Sequence, residues 1–168
     1  MMKLRRVLSV SAVLLGAHAF LGASAFAGGA VKWKPFEKGL KDAAASKKYS
    51  FVDVYTQWCG YCKQLEATTL KAQPVLAELD KNFESIRFDA ESEETVTWKG
   101  KQITMRELSA NWGVEGFPTM LFLNSKGEII GSFASYAEAD LMVHLLKYIS
   151  SGARERKVSF EDFLKEPT

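Results

Sequence analysis

The sequence is short of the residues that build metal sites and cross-linked frameworks: its 168 residues include two cysteines, two histidines and four prolines. Two cysteines allow one disulfide or one dithiol, which excludes a small scaffold held by several cystines. With His18 in an N-terminal leader, Cys59, Cys62 and His144 fall short of the four protein ligands of a closed zinc site, so neither metal nor cofactor is expected. A cluster bridging two copies stays open. His144 falls on an amphipathic stretch and reads as a surface or boundary side chain. The charge is nearly balanced, 22 Lys and Arg against 20 Asp and Glu, with no clustered basic stripe to neutralise phosphates, which argues against a nucleic-acid partner. Long apolar runs are also scarce. The uncharged stretch over residues 7–20 is short of the roughly 20 residues that a membrane span needs.

That stretch follows Lys3, Arg5 and Arg6 and precedes Ala25-Phe26-Ala27, a small-x-small pattern. Residues 1–27 therefore read as a signal peptide cleaved before Gly28; an uncleaved anchor is the alternative. Cleavage would remove three basic groups and no acidic one, leaving a net charge of about −1. The whole chain is 47% apolar and 25% charged, an ordinary balance for one globular domain. That domain is expected over 28–152, with a tail over 153–168.

Apolar positions Phe36, Leu40, Ala43 and Ala44 predict a helix over 35–46. Residues 51–55 read as a central strand, apolar on both faces except at Asp53. A helix opens at Cys59, a second has Pro74 as its first residue, and a short strand covers 85–89. Residues 95–104 suggest a small hairpin around Lys99-Gly100-Lys101. A helix over 105–112 follows, then a hairpin of strands 119–123 and 128–133 around Asn124-Ser125-Lys126-Gly127. Ser135 and Glu138 have capping-box spacing at the start of a last helix running to about 151. A crossover from the first strand through helix to the second predicts a parallel pair, and the class is α/β. In the tail, Val158, Phe160, Phe163 and Leu164 are spaced for a short docked helix, with fraying as the alternative.

Trp58-Cys59-Gly60-Tyr61-Cys62-Lys63 sits where strand hands over to helix, which puts the first sulfur among unpaired backbone N–H groups. Such a position lowers a thiol pKa, and the thiolate is the attacking species, so Cys59 reads as nucleophile. Cys62, one turn later and facing inward, reads as the resolving thiol. The alternative is a structural staple, but so short a loop stabilises by roughly 2 kcal/mol at best. Asp53 is a carboxylate inside an apolar strand, which costs free energy unless it is hydrogen-bonded or has a chemical task. Buried, it would have a raised pKa and could accept the Cys62 proton; at a solvent-facing strand position it would do neither.

The run from Asp53 to Lys63 resembles the active-site stretch of thioredoxins, and Gly113-Val114-Glu115-Gly116-Phe117-Pro118-Thr119 is similar to their segment ending in cis-proline and Thr. The resemblance covers about residues 51–151. It implies a thioredoxin fold, a central mixed sheet flanked by helices with a cis-Pro loop. It also implies that Pro118 is cis beside the Cys59 sulfur and that the Phe117 backbone pairs with an extended substrate. Trp58, Gly60, Tyr61, Gly116 and Phe117 would form the docking surface. The export signal, the Asp53 to Cys59 run and the insertion at 95–104 are most similar to periplasmic thioredoxin-like proteins, including SoxW-type proteins and the C-terminal domain of DsbD. The implied activity is periplasmic thiol-disulfide exchange, reducing disulfide-containing exported proteins with electrons from a membrane thiol-disulfide donor, by a monomer. A disulfide oxidase or isomerase, and a redox-independent peptide-binding module or holdase, are the alternatives. The chain departs from thioredoxins in having Gly-Tyr between its cysteines, Ala134 after the last strand, and Arg87 where a buried Lys usually accompanies the Asp.

Overall fold

The computed structural model describes residues 29–165; the expected signal peptide with its expected cleavage before Gly28, and residues 166–168, lie outside the described residues. In chain order the elements are α1 (Phe36–Ser46), β1 (Tyr49–Tyr55), α2 (Gly60–Ala67), α3 (Gln73–Asn82) and β2 (Phe83–Asp89). They continue with β3 (Thr95–Trp98), β4 (Lys101–Thr104), α4 (Met105–Asn111), β5 (Thr119–Leu123), β6 (Ile129–Phe133), α5 (Ala139–Ser150) and α6 (Phe160–Phe163). A single 3₁₀ turn, Thr69–Lys71, which the sequence reading missed, joins α2 to α3.

Four strands form one sheet in the order β2-β1-β5-β6, with β1 and β2 parallel and the other two pairings antiparallel. The sheet is therefore mixed, as the resemblance implied. Successive side chains of β1 leave on opposite faces. Phe51 joins Leu65, Val75, Leu79, Met142 and Leu146 from α2, α3 and α5, whereas Val52 and Val54 join Phe36, Met105 and Leu108 from α1 and α4. Two apolar layers on one doubly covered sheet explain why β1 is apolar on both faces.

Local chemistry sets several boundaries. Lys47 takes a left-handed conformation, φ 57°, and its N–H bonds back to the Ala43 carbonyl to end α1. Thr104 and Glu107 form a reciprocal capping box at α4 that the sequence reading overlooked. Gly39 lets α1 lie against β2, since a Cβ there would meet Ile86 Cγ1 at 2.3 Å. The insertion is an antiparallel β3–β4 hairpin held to the body through Trp98, which packs on Phe36 and Trp112 at ring separations of 5.8 and 5.5 Å.

One expectation fails. Ser135 and Glu138 do not form a capping box; α5 begins at Ala139, after Glu138, without a side-chain cap. The segment between β6 and α5 is instead anchored by tertiary contacts. The Ala137 carbonyl accepts from Thr69 Oγ1 at 2.7 Å, Ala137 is buried, and the Tyr136 hydroxyl is 3.1 Å from Thr68 Oγ1. These contacts outweigh a local cap worth about 1 kcal/mol. In the tail, α6 lies on α5, with Phe160 and Phe163 packed on Tyr148 at 5.3 and 5.4 Å, while Leu164 is exposed.

Candidate active site

Strand β1 ends in a turn in which the Thr56 carbonyl accepts from Cys59 N, and Cys59 becomes the N-cap of α2. Its Sγ accepts from the Cys62 backbone N–H at 3.0 Å, so one of the open donors of the helix is aimed at the sulfur. Cys59 and Cys62 are joined in a disulfide, with Cα atoms 5.3 Å apart, and both are buried. Their neighbours are not. Trp58 is 65% exposed and Tyr61 is 64% exposed.

The Phe117–Pro118 peptide is cis, and the loop before it is closed by Thr119 Oγ1 donating to the Gly116 carbonyl at 2.7 Å. Pro118 is buried, Phe117 half-buried and Gly116 exposed. Trp58 meets Phe117 edge to face at 5.9 Å, which sets this loop beside the Cys59 turn. On the other side Tyr61 lies 6.4 Å from Tyr136. The disulfide is thus flanked by two aromatic pairs. Gly60 and Gly116 are open, with nothing within 4 Å of a Cβ at either position.

Asp53 is buried, and its Oδ1 has no hydrogen-bond partner. Alternation puts it on the face of β1 that carries Phe51 and is covered by α2, so the solvent-facing reading of Asp53 is overturned. Burial pushes its pKa up to about 7; the positive Arg87 opposes this and the negative Glu66 adds to it. Arg87 stands opposite Asp53 in the β1–β2 register. Its guanidinium is nevertheless committed elsewhere, with two 2.7 Å bonds to the Glu66 carboxylate and its face 4.3 Å from the centre of the Tyr55 ring. These bonds hold the Glu66 carboxyl below the usual range.

The sequence reading placed Arg87 beside Asp53 but missed Glu66 and Tyr136. Glu66 had a signal: it follows Cys62 by four residues, so it shares the helix face of the inward sulfur. Tyr136 had none, because its approach to Tyr61 depends on the path of the β6–α5 segment. His144 is exposed, with Nδ1 2.7 Å from the Asp140 carbonyl. Ala134 is exposed beyond β6. Among the described residues no three His, Cys, Asp or Glu side chains are grouped to hold a metal, and no helix is long and apolar enough to cross a membrane.

A disulfide at a helix N-terminus, a buried carboxyl under that helix and a cis-proline loop beside it define a thioredoxin-fold protein equipped for thiol–disulfide exchange. Comparison with known proteins agrees: the family model for the thioredoxin-like domain matches residues 36–150, and the chain belongs to that family. It is 34% identical over 116 residues to protein disulfide isomerase-like 5-2 of Oryza sativa subsp. japonica, covering 68% of this chain and 24% of the relative. The chain thus spans about a quarter of the length of that relative. Among solved structures it superposes on a thioredoxin from Thermus thermophilus with a TM-score of 0.61 and 21% identity, over 74% of this chain and 90% of the other. The reduced C-terminal domain of DsbD from Neisseria meningitidis gives 0.51 and 22%, over 66% and 90%. These two share the fold.

Proposed function

We propose that this chain is an exported, periplasmic thiol-disulfide oxidoreductase that reduces disulfides of exported proteins. The observation that carries the reading is the Cys59–Cys62 pair at the α2 N-terminus above a buried carboxyl whose Oδ1 has no partner. In the reduced state Cys59 thiolate attacks one sulfur of a substrate disulfide, forming a mixed disulfide and releasing the first substrate thiol. Asp53 takes the proton of Cys62, and Cys62 thiolate attacks Cys59 Sγ, releasing the second thiol and leaving the Cys59–Cys62 disulfide. Two electrons pass to the substrate, and a dithiol donor, here a membrane thiol-disulfide partner, restores the pair. Trp58, Gly60, Tyr61, Gly116 and Phe117 receive the substrate, with Pro118 shaping the loop. No cofactor takes part, and one copy of the chain suffices.

The direction is inferred from the surroundings of Cys59. No histidine stands between the cysteines, and an oxidant needs a strongly stabilised thiolate. The isomerase reading is supported by relatives named protein disulfide isomerases. Equilibration of the protein against defined dithiol buffers separates the two. A potential near about −250 mV or lower supports the reductant, and one near about −180 mV or higher the isomerase or oxidase. A peptide-binding module would keep its activity when both cysteines are replaced. In Cys62→Ser the mixed disulfide through Cys59 should persist and be found by mass spectrometry; its absence with disulfide substrates would refute the exchange mechanism.

A further inference from the structure

We infer that Trp58 and Glu91 form a subsite for a cationic side chain, so that substrates bearing Lys or Arg near the reactive cysteine are preferred. This rests on the exchange activity proposed above and names its substrate class. The largely exposed indole of Trp58 precedes the nucleophile directly, and its Nε1 donates to Glu91 Oε2 at 3.0 Å. A carboxylate accepting from the indole N–H adds electron density to the ring, and the ring face is where a cation binds. The 3.0 Å bond sets the Glu91 carboxylate at the edge of that ring. One lysine or arginine can therefore meet the ring and the carboxylate together.

Glu91 is exposed yet held in place. Its backbone N–H donates to Asp89 Oδ1 at 3.0 Å, and its carbonyl accepts from Arg106 Nη2 at 2.9 Å. Arg106, which makes that bond, pairs its charge with Glu93 at 2.7 Å. Glu91 makes no ion pair among the described residues, and no Lys or Arg of the described residues lies over Trp58. Glu115, two residues before Phe117, is exposed, and Lys63 just past Cys62 is the opposing charge. The site thus has an exposed indole and a positioned carboxylate with no ion-pair partner among the described residues, which matches a positive partner.

The test uses the reduced protein and a set of short peptides, each with one cysteine in a mixed disulfide to the same chromogenic thiol. The peptides differ only at the position two residues from that cysteine, which is Arg, Gln or Glu. Exchange rates are followed by release of the chromophore in low and high salt. The Arg peptide should react about fivefold to tenfold faster than the Gln peptide, and the Glu peptide more slowly, with the spread narrowing in high salt. In Glu91→Gln, which keeps an acceptor for the indole, the Arg preference should fall to about twofold or less. Equal rates for the three peptides, or a preference unchanged in Glu91→Gln, would overturn the subsite while leaving the exchange activity standing. Failure of all three peptides to react would overturn both.

Discussion

Replacing Asp53 by Asn isolates the buried carboxyl. Its pKa is about 7 in the folded chain against an ordinary 3.8, because burial disfavours the charge more than Arg87 favours it. Between those two values the folded chain holds a proton that the unfolded chain has lost, so stability falls as pH rises from about 4 to about 7 and is level above. The difference corresponds to about 4 kcal/mol lost across that window, an upper figure for a group that can relax with its surroundings. Denaturant unfolding of the oxidised protein at pH 5 and pH 8 spans about two of those three pH units and should show about 3 kcal/mol of the loss, most of which Asp53→Asn should remove. The same variant should slow release of substrate from the mixed disulfide by about 100-fold near neutral pH, the ordinary contribution of a positioned base, and lose the inflection near pH 7. Equal pH dependence of stability in wild type and variant would refute the account of Asp53, whatever the rates.

Gly39→Ala should destabilise by about 1–3 kcal/mol, because the new methyl would meet the fully buried Ile86 at 2.3 Å; a lower urea midpoint at unchanged slope checks it. Arg87→Lys should cost about 1–2 kcal/mol in the same assay, since an ammonium cannot take both Glu66 oxygens or lie flat on Tyr55. An Arg87→Lys variant as stable as wild type would show that the forked geometry contributes nothing.

What the sequence revealed was decided within short stretches. Short apolar runs and helical spacing located every strand of the sheet and the five longer helices, and Asn124 and Gly127 identified the β5–β6 turn by their own chemistry. The Asn124 side chain does accept from Lys126 N and Glu128 N there. Failures came where distant segments competed with local signals. The spacing of Ser135 and Glu138 was sound as a cap, but Ala137 and Tyr136 bind to Thr69 and Thr68, 68 residues earlier in the chain. The same limit hid Tyr136 from the candidate site and left the partner of Arg87 unnamed.

That partner explains the chemistry of Asp53. The register alone, with Arg87 opposite Asp53, suggests an ion pair that would keep the aspartate charged. Two carboxylates compete for one guanidinium, however, and they differ in exposure: the Glu66 side chain is 44% exposed, whereas Asp53 is almost wholly buried. Ionising Glu66 costs less desolvation, so Glu66 takes both arms of the fork, and its charge then weighs against a second negative charge at Asp53. The pull of Arg87 on Asp53 is thereby partly offset, while Arg87 is fixed in place by Tyr55 and Trp33. A carboxyl left in this state gains and loses its proton near neutral pH, the property that a proton acceptor for Cys62 requires and that Asp53 paired directly with Arg87 would lack.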